Sequence, residues 1–399
     1  MFFKKVLLLC GALLMASVLI TAGCGGEQKA PQQEAKKEKG IAKFGVVTPL
    51  SGGAAVYGTH FKRGIDEAVQ EINSAGGITV GGKQYELQAI YQDDQGKSDV
   101  AATVGKRLAS QDRVPLIMMP ASWSAFPMMA FNQQPGAEFI IMATSQTPAF
   151  TKQGNKLVVR IVNNVERTMK DWVGRVFAYY DSAKIKYDKF AVMQVNTELG
   201  AAWSTQFQKE VKARGKEIVG VEEYDANKTD FYSQITNIIA KKPDIIVLTT
   251  VSEPSAIVIN QATELGFKGK FLNSAAATPE ATIKAVDPKL CENMTFESST
   301  FALGFPEVEA FKSKMRQKYN EEPQFITANG YDGVRITAKA MEISGSISDP
   351  NAIRKAMGKA FESTKPMLTG MRDFDETGDV LYPMYPAVIE GGKVRGIKD

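Results

Sequence analysis

Short apolar segments alternate with amphipathic segments along most of this 399-residue chain, and this alternation limits the folds that it can adopt. The runs KFGVVTP, VPLIMMP and EFIIMAT have the length and composition of buried strands, and each precedes a segment with helical character. In the first of these helices Ile65, Ala68 and Ile72 share one face, and the glycines at 76 and 77 end it. Strands and helices that alternate at this spacing predict a parallel sheet covered on both faces.

A second series of the same kind follows the segment KLVVRIVNN. It contains the strands KFAVMQV, EIVGVEEY, DIIVLTT and KFLNS, which alternate with amphipathic helices. The sequence therefore predicts two α/β units of similar size, as the chain length also suggests. In open parallel sheets ligands bind beyond the carboxyl ends of the strands. Polar corners fall at these ends, at residues 49–51, 120–122, 144–146, 194–196 and 249–250.

The N-terminus has the layout of a cleaved secretory signal. Lys4 and Lys5 precede an apolar run at residues 6–20, which is too short to span a bilayer comfortably, and small residues follow before Cys24. This cysteine resembles that of the bacterial lipobox, which is lipidated and becomes the first residue of the mature protein, although Thr21 replaces the usual leucine. An ordinary signal peptide with an incidental cysteine is the alternative. We expect residues 1–23 to be a lipoprotein signal peptide and the protein to be extracytoplasmic and anchored by lipid to the bacterial cell membrane.

The segment after Cys24 is predicted to be a flexible tether, so that residues 24–41 comprise the lipidated cysteine and the tether. The letters GGEQKAPQQEAKKEKG include many charges and no aromatic or β-branched residue, so the segment cannot bury enough surface to fold. The formal charge of the chain is +4, and loss of Lys4 and Lys5 with the signal leaves +2. This charge is too small to argue for a nucleic-acid partner. With Cys10 removed and Cys24 lipidated, Cys291 has no partner for an internal disulfide.

The residues for most catalytic mechanisms are missing. The single histidine, His60, lies beside Lys62 and Arg63 and is predicted to be a solvated helical residue. Nucleophilic triads and His/Cys metal clusters therefore lack their parts, and we expect neither a cofactor nor a metal.

Two other motifs have structural interpretations. GITVGGK has the spacing of a phosphate-binding loop, but Gln84 stands where Ser or Thr would bind magnesium and a strand follows, so a hairpin turn is predicted. Asp93 and Asp94 are adjacent on an extended chain and point to opposite faces, which favours loop capping over a paired-carboxylate site.

Several blocks in order resemble the branched-chain amino acid (leucine/isoleucine/valine-type) substrate-binding proteins of ABC transporters. They are FGVVTPLSGGAAVYGTHFKRGIDEAVQEINSAGGI, AIYQDDQGKSDVAATVGKRL, SQTPAFT, DANKTDFYSQITNIIAKKPDIIVL, QATELGFKG and NGYDGVRITAKAM. The resemblance implies a type I periplasmic-binding-protein fold, an α/β fold of two Rossmann-like lobes that close on a ligand about three hinge crossings. The crossings are expected near Asn163, near Ser298 and at 375–379. The N-terminal lobe would comprise 42–163 plus 299–375, and the C-terminal lobe 164–298 plus 376–399.

The resemblance also implies a set of ligand contacts. Tyr57 aligns with a tyrosine of the first loop, and Ser122 with the serine that holds a ligand carboxylate at a helix N-terminus, where free N–H groups favour an anion. The next carboxylate-binding corner aligns with Thr144, Ser145 and Gln146, in which glutamine replaces a frequent threonine. Tyr331 aligns with the tyrosine on the far side of the cleft.

This chain departs from the family pattern at the ammonium site. The acids that hold a ligand ammonium align with Val165 and Ala275, so an ammonium group would be buried without a partner. Glu166 and Glu198 lie one residue from lost positions, and a shift of register would restore an acid.

The remaining wall of the cleft is expected to be apolar. The aromatic residues of the second lobe align with Leu199 and Val251. Trp123 either lines the pocket beside Ser122 and stacks on a flat ligand or packs at the rim of the lobe. The methionines around it, among them Met118 and Met128, are predicted to fill the core.

We therefore predict a non-enzymatic solute receptor. It would deliver a small carboxylate, preferably an aromatic or branched acid without an α-ammonium group, to a branched-chain-type ABC permease and its ATPase, and act as a monomer. A sensory receptor for a membrane signalling partner is an alternative, and an extracytoplasmic hydrolase of similar shape is a third.

Overall fold

The computed structural model describes residues 39–225, 228–249, 252–274 and 279–397. The predicted signal peptide, Cys24 and nearly all of the tether lie outside these residues. Within them, no helix has the length and apolar character needed to cross a membrane.

The first series of elements forms a six-stranded sheet in the order β2-β3-β1-β4-β5-β6, which is parallel except for β2. Its elements are β1 (Gly40–Thr48), α1 (Ala55–Ser74), β2 (Ile78–Val80), β3 (Lys83–Asp93), α2 (Ser98–Ser110), β4 (Leu116–Met119), α3 (Ser122–Met129), β5 (Ile140–Ala143), α4 (Ala149–Lys152) and β6 (Val158–Arg160).

The second sheet has seven strands in the order β13-β12-β11-β10-β9-β7-β8, and only its last two strands along the chain, β12 and β13, pair antiparallel. Its elements begin with α5 (Val165–Ser182), β7 (Lys189–Val195), α6 (Glu198–Ala213), β8 (Glu217–Tyr224), α7 (Tyr232–Ile239), β9 (Ile245–Leu248), α8 (Ser252–Glu264), β10 (Lys270–Asn273), α9 (Pro279–Ala285) and β11 (Thr295–Ser299). The helices α10 (Pro306–Tyr319), α11 (Phe325–Ser344) and α12 (Pro350–Ser363) follow, and β12 (Met384–Glu390) and β13 (Lys393–Gly396) end the chain.

The chain passes three times between the two sheets. It leaves the first sheet after β6, returns after β11 when α11 packs along α1, and leaves again when β12 joins the second sheet. The predicted α/β fold of two lobes with three crossings is thereby confirmed, and the residue boundaries of the lobes stay a prediction.

Close packing of α11 on α1 depends on Gly64. A Cβ atom at this position would lie 1.9 Å from the Thr327 carbonyl oxygen, a distance that no side chain tolerates. Below the helices, Met118 and Met142 are fully buried in the core of the first lobe. The prediction that these methionines fill the core is confirmed for Met118, Met119 and Met128, whereas Met129 is half-buried.

The hairpin predicted for GITVGGK is present. Val80 pairs with Lys83, and Gly81 and Gly82 both have positive φ, 56° and 79°, as the two central residues of a tight type I′ turn require.

The prediction of a solvated His60 was wrong. The imidazole is 2% exposed because α1 turns this residue against the α10–α11 connection. Its Nε2 lies 3.2 Å from Glu321 Oε1 and its Nδ1 lies 3.4 Å from Thr327 Oγ1. The pKa of His60 is lowered because burial disfavours the charged ring, although Glu321 opposes this effect.

His60 is expected to make stability depend on pH. Its folded-state pKa lies below the unfolded value of about 6.5, so the unfolded chain binds more protons as the pH falls, and the free energy of unfolding decreases below about pH 6.5. In the His60→Gln variant this part of the decrease should be lost, up to about 1 kcal/mol between pH 6.5 and 5.5. Urea denaturation of both proteins at the two pH values measures it, and equal losses in the two proteins would contradict the assignment.

Candidate functional site

A cluster of hydroxyl groups lies at the carboxyl ends of β4 and β5. Ser122 Oγ and Ser145 Oγ are 2.8 Å apart, and Ser145 Oγ lies 3.2 Å from Thr147 Oγ1. Ser122 is also the first residue of α3, and no side chain caps this helix. Hydroxyl groups and the N–H groups of a helix N-terminus therefore converge at one point, which we call the polar corner (Ser122, Thr144, Ser145, Gln146 and Thr147).

The local sequence explains how the corner forms. Both strands consist of four buried residues, and Pro120 ends the first of them. The Thr144 N–H donates to the Met119 carbonyl over 3.2 Å, and its hydroxyl donates to the Pro120 carbonyl, which holds the ends of the two strands together. Ala121 is extended, so the chain turns directly from the strand into α3.

Asp94 fixes the other side of α3. It is fully buried, accepts from the Ser124 hydroxyl and accepts from the Gly96 N–H over 2.9 Å. Asp93 on the opposite face accepts from the Leu50 N–H over 2.8 Å. The loop-capping interpretation of these two acids is confirmed.

Tyr57 adjoins the polar corner from the first turn of α1. It is half-buried, and its hydroxyl is hydrogen-bonded with the Thr144 side chain. Burial raises the pKa of Tyr57 to about 12, against the opposing effect of the Thr144 bond, so the phenol is neutral at physiological pH. The structure thus brings together Tyr57, Ser122, Thr144 and Ser145, as the sequence predicts.

Gln146 and Trp123 complete the surroundings of the corner. Gln146 Nε2 donates to Asn163 Oδ1 over 2.6 Å, so this side chain is directed to the first crossing. The Trp123 ring is half-buried, and its indole N–H is buried without an acceptor among the described residues. Both interpretations of Trp123, pocket wall and rim residue, stay open.

The structure does not bring Tyr331 to the corner. Its hydroxyl donates to Glu71 Oε2 over 2.5 Å, and its ring packs against Phe311 with centroids 5.0 Å apart. Glu71 follows Tyr57 by 14 residues on the same helix, about 21 Å along its axis. The Tyr331 ring is packed between α1, α10 and α11. Its predicted placement at the cleft therefore lacks geometric support.

At the predicted positions the second lobe has an apolar contact, one acid in an ion pair and one exposed acid. Leu199 is half-buried in the first turn of α6, and Val165 is fully buried. Glu166 forms an ion pair with Lys152, and Glu198 is exposed. The predicted contacts Val251 and Ala275 lie outside the described residues.

Sequence reasoning missed two buried residues near the crossings. Glu297 on β11 is 2% exposed; its Oε2 accepts from Trp203 Nε1 over 2.6 Å and its Oε1 from Asn163 Nδ2 over 3.4 Å. Tyr382 is 1% exposed at the third crossing and lies near Tyr57; burial raises its pKa. Tyr382 lies within the largely apolar run VLYPMYPAVI, whereas Glu297 is followed by Ser298 and Ser299 and has no such signal in the sequence.

Other candidate sites are weaker. A surface groove of about 510 Å³ between α1 and α10 is lined by Glu67, Glu71, Lys314 and Lys318, but these charges pair with one another. Within the described ranges, no three His, Cys, Asp or Glu side chains cluster to hold a metal ion. Cys291 is buried, which raises the pKa of its thiol to about 11.

Comparison with known proteins identifies extensive similarity. A family model described as periplasmic binding protein matches residues 42–393. The chain is 24% identical over 347 residues to the leucine-, isoleucine-, valine-, threonine- and alanine-binding protein of Pseudomonas aeruginosa, and the match covers 85% of this chain and 87% of that protein.

Solved structures show the same fold. A branched-chain amino acid transporter substrate-binding protein of Streptococcus pneumoniae, in complex with isoleucine, superposes with a TM-score of 0.73 at 24% identity and covers 90% of this chain and 100% of its own. A solute-binding protein of R. palustris in complex with benzoate superposes with a TM-score of 0.71 at 17% identity and covers 90% and 96%.

Substitution of Ser122 tests the polar corner. If its hydroxyl holds a ligand carboxylate, Ser122→Ala removes one charge-assisted hydrogen bond of about 1.5 to 3 kcal/mol and weakens binding by roughly one to two orders of magnitude. Calorimetry with benzoate and with 4-methyl-2-oxopentanoate measures the change. Ser110→Ala, an exposed serine that bonds the Lys106 carbonyl, is the matched control and should bind like the wild type. Unchanged binding by Ser122→Ala would contradict the role of the corner.

Proposed function

The chain belongs to the periplasmic binding protein family, and we propose that it captures a small carboxylate between its two lobes and delivers it to an ABC permease. The family assignment confirms the resemblance found in the sequence, and the relatives are substrate-binding proteins that bind small ligands. The carboxylate, the delivery and the lipid anchor are the parts that we propose.

The polar corner carries this proposal. A carboxylate needs several donors, and the corner offers the Ser122 and Ser145 hydroxyls together with the uncapped N-terminus of α3. Hydrogen bonds from such groups to an anion are stronger than bonds between neutral groups, and the helix dipole adds to them. Tyr57 is neutral there and donates without adding negative charge.

The expected preference is for a carboxylate without an α-ammonium group. Val165 is fully buried where the family has its first acid, and Glu166 is engaged with Lys152. The buried acid Glu297 accepts from Asn163 and Trp203, so each of its oxygens already has a donor from the chain itself. An ammonium group buried without a carboxylate partner costs several kcal/mol.

The shape of the ligand follows from the side chains around the corner. Tyr57, Trp123 and Leu199 are half-buried and present aromatic or aliphatic surface, which suits an aromatic or branched body. The isoleucine and benzoate complexes of two solved structures support the idea that this fold accepts carboxylates both with and without an ammonium group.

A matched ligand pair tests the preference. Leucine and 4-methyl-2-oxopentanoate share a carbon skeleton and differ in the ammonium group, and we expect the oxo acid to bind at least about tenfold more tightly because its oxo oxygen needs no buried counterion. Isothermal titration calorimetry on the protein without its signal peptide measures both affinities. Tight leucine binding with weak binding of the oxo acid would overturn the preference and implicate Glu166 or Glu198.

Anchoring is tested at Cys24. If this residue carries lipid, Cys24→Ser should move the protein from the membrane fraction to the soluble fraction or leave the precursor uncleaved, because the acyl chains are lost. Cys291→Ser, which changes a buried cysteine of the folded body, is the control. Unchanged membrane fractionation of a Cys24→Ser protein that is still cleaved to its mature size would exclude the lipobox.

A further inference from the structure

A chain of hydrogen bonds runs from the polar corner to the second lobe. Gln146 Nε2 donates to Asn163 Oδ1 over 2.6 Å, Asn163 Nδ2 donates to Glu297 Oε1 over 3.4 Å, and Trp203 Nε1 donates to Glu297 Oε2 over 2.6 Å. Gln146 belongs to the first lobe, Asn163 to the first crossing, and Glu297 and Trp203 to β11 and α6 of the second lobe. The four side chains therefore link both lobes through one crossing.

Three of the four side chains in this chain of hydrogen bonds are buried, which strengthens the bonds. Asn163 is 1% exposed, and Glu297 and Trp203 are each 2% exposed. Hydrogen bonds in such surroundings are stronger than in water, and the loss of one partner leaves a buried polar group unsatisfied. The backbone reinforces the first link, because the Val165 N–H donates to the Gln146 carbonyl over 3.3 Å.

We propose that Asn163 and Glu297 are positioning residues that fix the Gln146 side of the ligand corner to the second lobe. The proposal rests on the proposed function for the identity of the corner. The Asn163 side chain accepts from Gln146 with its amide oxygen and donates to Glu297 with its amide nitrogen. Rotation of this amide group would therefore break both hydrogen bonds. A change at Gln146 therefore reaches Trp203 through two intermediate side chains.

Trp203 supplies a spectroscopic signature of this linkage. The chain has three tryptophans, and the indole nitrogens of Trp123 and Trp172 have no acceptor among the described residues. Trp203 differs from them because its indole N–H faces a carboxylate, although its ring packs only 5.7 Å from that of Trp172. Its N–H proton should therefore resonate farthest downfield of the three.

The first experiment uses the wild-type protein without ligand. A ¹⁵N-tryptophan-labelled sample gives one indole N–H signal for each tryptophan, and Trp203→Phe identifies the signal of Trp203. The expected result is that the most downfield signal disappears in this variant. If one of the two less downfield signals disappears in Trp203→Phe instead, the Trp203–Glu297 contact is contradicted. This test does not require a Glu297 variant.

The second experiment follows the Trp203 signal through the chain of bonds. Glu297→Gln replaces the carboxyl acceptor with an amide, so the signal should move upfield and its exchange with solvent should accelerate about tenfold. Asn163→Ala and Gln146→Ala should each shift the same signal, although neither side chain is hydrogen-bonded to Trp203 among the described residues. Asn351→Ala, an exposed asparagine in the first turn of α12, is the matched control and should leave the signal unchanged.

The Trp203 signal and the affinity for benzoate decide the proposal. Shifts in Asn163→Ala and Gln146→Ala support it, whereas a Trp203 signal that responds to Glu297→Gln alone would overturn it and leave a local structural contact. Benzoate binding about tenfold weaker in Asn163→Ala than in Asn351→Ala would further support it, and equal binding by the two variants would contradict it. A wild type that does not bind benzoate would weaken the proposed function, and the ligand-free shifts would still decide the linkage.

Discussion

A buried ion pair between Arg160 and Asp379 holds together the segments through which the chain passes between its lobes. Arg160 is fully buried, and its Nε lies 2.9 Å from Asp379 Oδ1. Asn164, the N-cap of α5, donates to the other oxygen of Asp379 over 2.6 Å. One pair of charges thus joins the end of β6, the start of α5 and the third crossing. Removal of one partner would leave an uncompensated buried charge, which typically costs 3 to 5 kcal/mol.

The same pair supports the polar corner. Arg160 Nη2 donates to the Thr147 carbonyl over 3.0 Å, and the Thr147 hydroxyl lies next to Ser145, which in turn contacts Ser122. The hydroxyl groups of the corner are therefore held in place by strands β4 to β6 and by a buried cation behind them. Such preorganisation lowers the entropy lost on binding, because the donors need no rearrangement to meet a carboxylate.

Local signals in the sequence predicted much of the fold and part of the site. The strand-helix alternation up to β10, the Gly81–Gly82 turn and the bond from the Gly96 N–H to Asp94 all follow from residues within a few positions of one another. His60 was misjudged because its burial depends on Glu321 and Thr327, more than 250 residues away in sequence. Tyr331 and Glu297 also contact residues that are distant in sequence, on α1 and at the first crossing respectively. Periodicity alone cannot reveal such contacts, which arise only when the three crossings bring distant segments together.

The proposed selectivity of the cleft is for a carboxylate that has no ammonium group. It is tested most directly by mass spectrometry of the small molecules that are released when the protein, purified from its native membrane, is denatured. The carboxylate hypothesis predicts an aromatic or branched organic acid in an amount comparable with that of the protein. Leucine, isoleucine or valine in that amount would contradict it and would implicate Glu166 or Glu198 as the carboxylate that holds the α-ammonium.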